Sequence, residues 1–232
     1  MQEKLTLYHG SPNIIKQPQY GLGNPHNDYG LGFYCTEAPE LAKEWACSTE
    51  DDGYANQYEF DLAGLSVLSL TGGEYNILNW LAILLENRKF RLAAPVAAQA
   101  KQYLLENFLV DYRKYDVIKG YRADDSYFSI ATAFLYNTIS LAKLEKAMRL
   151  GKLGEQVVAV SKRSFGAFSF VQATSVPKEI YYPKKLARDT AAREEFRREK
   201  EQISALTETY MLDIMREGWK ADDERLQRVI LG

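Results

Sequence analysis

Two short stretches decide the N-terminal half of the fold: Leu7-Tyr8-His9-Gly10-Ser11, and Asp28-Tyr29-Gly30-Leu31-Gly32-Phe33-Tyr34-Cys35-Thr36. The alternating residues Leu5 to Tyr8 predict a short strand that ends at the His-Gly step. The apolar and aromatic run Gly32 to Cys35 predicts a second, buried strand. The segment between the two strands is rich in Pro, Gly, Asn and Gln, which predicts a loop.

The rest of the chain is predicted to mix helices with further strands. Thr36 can cap a helix in which Pro39 suits the first turn and Trp45 falls on the inner face. More strands are predicted at Gln57 to Asp61, Ser66 to Leu70, Asp116 to Tyr121, Gln156 to Val160 and Phe165 to Val171, and more helices at Tyr75 to Arg88, at Val96 to Leu109 and, as a pair, within Ser126 to Leu150. Two groups of strands separated by a helical insert predict an α+β fold.

The C-terminal part differs in composition, and Pro177 and Pro183 bracket the change. The span Asp189 to Glu217 predicts one long charged helix, with Asp189 as its cap and Gly218 as its stop. Its apolar stripe is narrow and consists of Phe196, Ile203, Leu206, Tyr210 and Ile214. Such a stripe suits a helix on its own domain or on a partner protein. We therefore expect one domain over residues 1–176 and a helical extension over residues 177–232.

The composition excludes several classes of protein. The chain has 232 residues, 46% of them hydrophobic, which supports a sizeable core. A net charge of -2 and a pI near 5.8 give no general attraction to nucleic acid or anionic lipid. Two cysteines are too few for a disulfide scaffold, and no segment resembles a signal peptide or a membrane span. These features predict a cytoplasmic protein. No metal-ligand spacing and no Gly-rich phosphate loop are visible.

The stretches around His9 and Tyr34 resemble the ADP-ribosyltransferase superfamily, in the His-Tyr-Glu branch that includes diphtheria toxin and the poly-ADP-ribose polymerases. Within it, the chain is most similar to an uncharacterised bacterial family of unknown function, DUF3990. The shared phrases are LYHGS, DYGLGFYCT, YDVIKGYRADD and KLGEQVVAVSK, and the resemblance runs from about Leu5 to about Ser175. It implies a split sheet of mixed and antiparallel strands with a helical insert. It also implies that NAD is used as a substrate and that no metal is needed.

The resemblance implies a triad of His9, Tyr34 and Gln156. His9 would hydrogen-bond a ribose hydroxyl, and Tyr34 would stack on the nicotinamide ring. The third position departs from the pattern, because glutamine can hold a 2'-hydroxyl but cannot take a proton as a carboxylate does. The neighbouring Glu155 is the alternative. Since adjacent strand residues point to opposite faces, only one of the two can face the cleft, and we assign Gln156.

Further residues are expected around the nicotinamide and its ribose. Gly10 would let the backbone approach the carboxamide, Ser11 would add a hydrogen bond, and Trp45 would stack on the second face of the ring. The remaining implied binding residues are Gly32, Phe33, Thr36 and Asp124. A carboxylate of Asp124 or Asp125 could stabilise the ribosyl cation or deprotonate an acceptor, and helix capping by Asp125 is the alternative.

Three functions share these expectations. The first is an ADP-ribosyltransferase that modifies a macromolecule, with protein favoured over nucleic acid as acceptor; by analogy with small bacterial relatives it would be a toxin with a neutralising partner protein. The second is an NAD glycohydrolase, and the third is a non-catalytic NAD-sensing or protein-interaction module. The superfamily also contains a transferase that removes the 2'-phosphate of RNA. That reaction would require a basic cluster, and none is visible in the sequence beside His9.

Overall fold

The computed structural model describes residues 4–123, 125–148, 154–201 and 208–226. The strands are β1 (Lys4–Ser11), β2 (Phe33–Cys35), β3 (Gly53–Asp61), β4 (Val67–Ser69), β5 (Val117–Tyr121), β6 (Glu155–Ala159) and β7 (Phe168–Val176). The helices are α1 (Pro39–Ala46), α2 (Ile77–Asn87), α3 (Pro95–Phe108), α4 (Asp125–Leu135), α5 (Leu141–Met148), α6 (Lys162–Phe165), α7 (Lys178–Glu201) and α8 (Met211–Arg216), with a 3-10 turn at Tyr112–Lys114. The predicted α+β class is confirmed.

The strands form two sheets that meet at one point. The first sheet is antiparallel with the order β1-β3-β7, and the second has the order β2-β6-β5-β4, in which β4 and β5 run parallel. The meeting point is a bridge at which Tyr8 N donates to Thr36 O at 2.8 Å and Thr36 N donates to Tyr8 O at 3.0 Å. His9 and Gly10 follow directly, so both residues lie at the junction of the sheets.

Several strand boundaries differ from the prediction, and β3 begins at Gly53 instead of Gln57. β1 continues to Ser11, and His9 and Gly10 pair inside it with Asn56 and Ala55 of β3. β7 begins at Phe168 instead of Phe165, because the preceding residues form α6. Ser161 caps that helix: its Oγ accepts a hydrogen bond from Ser164 N at 3.1 Å. Local side-chain hydrogen bonding therefore overrides the apolar pattern that predicted an earlier strand start.

The helical insert contains the largest core. Asn76 caps α2, where its Oδ1 accepts from Leu78 N and Asn79 N while Asn79 Oδ1 accepts from Asn76 N at 2.9 Å. Every residue from Ile77 to Leu85 is buried, so α2 is apolar on all sides and is enclosed by its neighbours. Trp80 Nε1 donates to Tyr121 O at 3.1 Å, which ties this core to the end of β5. The insert thus fixes the strand end that leads to the cleft.

The prediction for the C-terminal part is wrong in its helix boundaries. α7 starts at Lys178, runs through Pro183 and spans Asp189, which is therefore not a cap. A proline removes one hydrogen bond but has a helical φ, and packing of α7 on α1 offsets that loss. Gly218 does follow the end of α8, with φ +67°. Ile203 and Leu206 of the predicted stripe lie outside the described residues.

The part of the chain beyond residue 176 contacts the rest of the molecule extensively. Arg188 of α7 pairs with Glu44 of α1 at 2.5 Å, and Lys43 of α1 lies over the Tyr181 ring. Four residues that follow α7 are buried in the main core together with α2 and α3: Met211, Ile214, Trp219 and Leu226. The sequence left open whether the C-terminal helix packs on its own domain or on a partner protein. These contacts match packing on its own chain. The described residues contain no helix both long and apolar enough to cross a bilayer.

Candidate functional site

A cleft of about 320 Å³ opens at the junction of the two sheets. Its lining comes from β1, the loop before β2, β2 itself, α1, the end of α2, the end of β5, β6 and α7. The lining residues are His9, Gly10, Asn27, Asp28, Tyr34, Trp45, Arg88, Arg122, Ala123, Gln156 and Lys185. The site therefore combines residues that are far apart in the sequence.

His9 is held in one orientation by two neighbours. Its Nδ1 lies 2.7 Å from the backbone oxygen of Tyr34, which accepts, so this nitrogen carries the proton. Its ring stacks on Phe33 with a centroid distance of 4.2 Å. Burial lowers the pKa of His9, and the bond to the Tyr34 carbonyl opposes that shift only in part. A neutral ring with a protonated Nδ1 leaves Nε2 as a hydrogen-bond acceptor.

Tyr34 offers the cleft its ring and not its hydroxyl. The hydroxyl donates to Gly30 O at 2.6 Å and accepts from Tyr29 N at 3.1 Å. Burial raises the pKa of Tyr34 far above its usual value, so the phenol stays protonated at any physiological pH. Tyr34 is therefore suited to contact a flat ligand and not to transfer a proton.

Gly10 is required by packing against α1. A Cβ at this position would lie 2.1 Å from Ala42 O and 2.8 Å from Ala46 N. The predicted reason, obstruction of the ligand, is therefore not the first constraint on this residue. Alternate residues of a strand point their N–H and C=O groups to the same edge, so the peptide groups of Gly10 face the same way as those of Tyr8 at the bridge. That edge borders the cleft.

Gln156 lines the cleft, and Asp28 lies beside it. Gln156 Nε2 donates to Asp28 Oδ2 at 3.0 Å and to Tyr121 O at 3.2 Å. These two acceptors use both amide hydrogens and fix the orientation of the amide, so Oε1 remains as an acceptor. Both side chains are buried, Gln156 at 3% and Asp28 at 4% exposure.

Asp28 is a candidate functional residue that could not be identified from the sequence. Besides Gln156, its carboxylate accepts from Ala123 N at 2.9 Å and lies 2.9 Å from Arg88 Nε. Burial raises the pKa of Asp28, and Arg88 and these hydrogen bonds oppose the shift only in part. The sequence contained one indication: Asp28 begins the stretch that leads to Tyr34. Only the fold shows that it meets Gln156.

A family model described as "Protein of unknown function (DUF3990)" matches residues 5–170. The chain belongs to this family. No curated protein and no solved structure matches the chain. The matched range includes His9, Tyr34 and Gln156, and it ends before α7.

Glu155 of this DUF3990 protein points away from the cleft. It is exposed, and with Thr36, Glu37 and Lys119 it lines a separate depression. As expected for adjacent residues of a strand, Glu155 and Gln156 point to opposite faces of β6. The carboxylate that lines the cleft belongs to Asp28.

Trp45 lies in the cleft with one face already covered. The guanidinium carbon of Arg122 lies 3.8 Å from the centre of its ring. A ligand could therefore stack only on the opposite face. Among the described residues, the buried Trp45 Nε1 has no hydrogen-bond partner. Because this N–H is also hidden from solvent, Trp45 offers a ligand the open face of its ring and not its donor.

Four of the other predicted site residues support the cleft from outside its lining. Ser11 Oγ accepts from Asn13 N at 3.1 Å, and Thr36 Oγ1 accepts from Ala38 N at 3.2 Å. Phe33 packs under His9. A Cβ on Gly32 would lie 2.7 Å from a methyl group of Val158, so this glycine lets β2 approach β6. The predicted Asp124 lies outside the described residues, as does the side chain of Asp125.

Three cationic side chains line the cleft of the DUF3990 protein: Arg88, Arg122 and Lys185. The sequence-based expectation that no basic cluster accompanies His9 was therefore wrong. Arg88 follows α2, Arg122 follows β5 and Lys185 lies in α7. Because they are far apart in the sequence, no local motif contains two of them. In the described part of the chain, no group of three or more His, Cys, Asp or Glu residues could hold a metal ion.

A second, more apolar cavity of about 510 Å³ adjoins the cleft. His9, Asn27 and Tyr34 line both, so they form the boundary between the two cavities. The second cavity is otherwise formed mainly by the loop after β1. Asn56 anchors that loop: its Oδ1 accepts from Ile15 N at 2.9 Å and its Nδ2 donates to Asn13 O at 3.1 Å.

Proposed function

We propose that this protein binds NAD at the junction of the two sheets and transfers ADP-ribose to a macromolecular acceptor. The observation that carries the proposal is the set of groups that line one small cleft. Among the described residues they include His9 with its Nε2 acceptor, the backbone of Gly10 and the ring of Tyr34. Nicotinamide riboside has complementary groups: ribose hydroxyls, and a carboxamide that both donates and accepts. The likeness to the ADP-ribosyltransferases supports the same ligand and the same split-sheet fold.

The proposed binding mode uses one group for each part of the ligand. The Tyr34 ring contacts one face of nicotinamide, while the backbone of Gly10 binds the carboxamide. His9 Nε2 and Gln156 Oε1 accept hydrogen bonds from ribose hydroxyls. A dinucleotide has a second half, and the adjoining cavity beyond His9 and Tyr34 has the size and apolar lining to receive adenosine.

The proposed chemistry breaks the bond between ribose C1' and the nicotinamide nitrogen. The electron pair of that bond returns to the pyridine ring, which leaves as neutral nicotinamide. The acceptor's nucleophile forms the new bond at C1', and its proton passes to solvent or to a carboxylate. Since the transition state resembles a ribosyl cation, a fixed negative charge near the ribose lowers its energy. Asp28, behind Gln156, is the carboxylate suited to this role.

Hydrolysis of NAD is the second candidate, because Asp28 puts a carboxylate in the cleft that the triad sequence lacks. Its Oδ2 already accepts two hydrogen bonds and its Oδ1 is buried against Arg88, so a water molecule has little access to this carboxylate. We therefore favour transfer, with slow hydrolysis in the absence of an acceptor. A bound acceptor supplies its nucleophile at high effective concentration.

Binding of NAD can be tested by calorimetry on the Tyr34→Ala protein. We expect NAD affinity to fall by about tenfold or more, because stacking and apolar contact on one ring face are lost. Tyr136→Ala is the matched control, since Tyr136 is half-buried and lines neither cavity. Unchanged affinity in a folded Tyr34→Ala protein would remove Tyr34 from the site.

A further inference from the structure

We infer that Lys185 of α7 makes a phosphate-binding subsite at the rim of the cleft, so that the C-terminal helix takes part in substrate recognition. The inference rests on the proposed function only for the identity of the ligand. A phosphate group is the shared chemistry of two sources, the pyrophosphate of NAD and a phosphate carried by the acceptor. The two sources are separated by the experiment below.

The first observation is the position and pairing of Lys185. Its side chain is half-buried and lines the cleft together with Arg88 and Arg122. Among the described residues, no carboxylate lies within salt-bridge distance of its Nζ, whereas its neighbours Lys184 and Arg188 pair with Glu40 and Glu44. An ammonium without an acidic partner at the rim of a cleft is available for an anion from solution.

The second observation is that α7 is fastened to the helix that carries Trp45. Arg188 and Glu44 are 2.5 Å apart, with side chains only 17% and 11% exposed. Lys43 lies over the Tyr181 ring with 5.4 Å between its Nζ and the ring centre. These contacts lie on both sides of Lys185 along α7. The backbone that carries Lys185 is therefore held at a fixed place beside the cleft.

The third observation is the charge of the rim. Arg88 lies 2.9 Å from Asp28, so the Asp28 charge largely balances that guanidinium. Arg122 covers the face of Trp45. Lys185 adds a positive charge to those of Arg88 and Arg122. The cleft lining therefore favours a ligand group with more than one negative charge. A pyrophosphate or phosphate monoester fits this requirement better than a neutral sugar or a carboxamide.

The test uses the full-length protein and inorganic pyrophosphate as the probe. Isothermal titration is carried out on wild type, Lys185→Ala and Lys184→Ala. Lys184 is the matched control because it is the adjacent lysine of α7, is exposed and lines neither cavity. We expect pyrophosphate affinity to fall by about tenfold in Lys185→Ala and to stay unchanged in Lys184→Ala. The difference should shrink as salt is raised.

Competition between the two ligands identifies the source of the phosphate. If pyrophosphate and NAD displace each other, the subsite takes the NAD pyrophosphate; if both bind at once, it takes an acceptor phosphate. Both outcomes support a phosphate subsite. Equal pyrophosphate affinity in Lys185→Ala and Lys184→Ala, or no binding to wild type, overturns it. A protein that binds pyrophosphate through Lys185 but does not bind NAD would refute the proposed function and leave the subsite standing.

Discussion

At the scale of single residues, the central feature is a buried carboxylate, Asp28, beside the proposed triad residue Gln156. Position 156 carries a glutamine, yet its amide donates to Asp28 Oδ2 at 3.0 Å. In the proposed binding mode, the pair would combine an acceptor for a ribose hydroxyl with a nearby negative charge. Glu155, the nearest carboxylate in the sequence, lies on the other face of β6.

The role of Asp28 predicts a characteristic dependence on pH. Burial raises the pKa of this carboxyl above its ordinary 3.8, so the charged form is lost at a higher pH than for an exposed aspartate. We expect the transfer rate to rise with pH through that raised pKa and then to level off. Asp28→Asn should remove this rise and lower the plateau about 100-fold, as loss of one electrostatic stabiliser does.

Glu155→Gln is the control for Asp28→Asn, because it removes a nearby carboxylate that does not line the cleft. Pre-steady-state release of nicotinamide over a pH series would measure both variants. If Asp28→Asn kept the wild-type pH profile, Asp28 would have no part in the chemistry.

His9 could be identified as a candidate site residue from the sequence, whereas Asp28 could not. The stretches around His9 and Tyr34 could be recognised because they are contiguous and carry unusual residue combinations. Asp28, Arg88 and Lys185 could not, because a single aspartate, arginine or lysine is usually a solvated surface residue. Their meeting depends on pairing between strands and on helix packing, which no local pattern contains.

At the scale of elements, the site depends on close contact between β1 and α1. Gly10 makes that contact possible, since a Cβ would lie 2.1 Å from Ala42 O. The contact brings the edge of β1 next to the helix that carries Trp45. The sequence predicted both elements, but it could not predict that Gly10 is needed for the packing of β1 against α1.

Gly10→Ala is therefore expected to destabilise the protein by about 1–3 kcal/mol, because strand and helix must move apart. Gly166→Ala is the matched control: Gly166 has a φ of -75°, and its nearest contact to a new Cβ would be 3.4 Å. Urea unfolding followed by circular dichroism gives both values. Equal stability of the two variants would mean that β1 and α1 are not packed as described.

α7 is the element that the sequence located least well. The sequence predicted a helix that begins at Asp189, but α7 begins at Lys178 and continues past Pro183. Local propensity argues against a helix there, and contacts with α1 override it. Tertiary contacts of this kind are invisible in a single sequence.

At the scale of the whole molecule, the part beyond residue 176 is packed into the main core. Trp219 is 5% exposed and lies in the cluster that contains α2 and α3, and Tyr103 Oη donates to its backbone oxygen at 2.9 Å. The division into a domain and an extension stays a prediction, but residues on both sides of it share one core.

Trp219→Ala should therefore lower the free energy of unfolding by about 3–5 kcal/mol, the usual cost of removing a large buried side chain. Leu212→Ala, in α8 and 44% exposed, should change it by less than about 0.5 kcal/mol. Differential scanning calorimetry distinguishes these outcomes. A Trp219→Ala protein as stable as Leu212→Ala would show that the C-terminal part is not integral to the core.

The most direct test of the central claim follows the label from ³²P-NAD when pure protein is mixed with fractionated cell lysate. Wild type should release nicotinamide slowly alone and faster with one fraction, and the label should move into a macromolecule of that fraction. His9→Ala and Asp28→Asn should both lose this transfer, while Glu155→Gln keeps it. The contrary result is wild-type protein that neither transfers label nor releases nicotinamide with any fraction. In that case the cleft does not use NAD as a substrate.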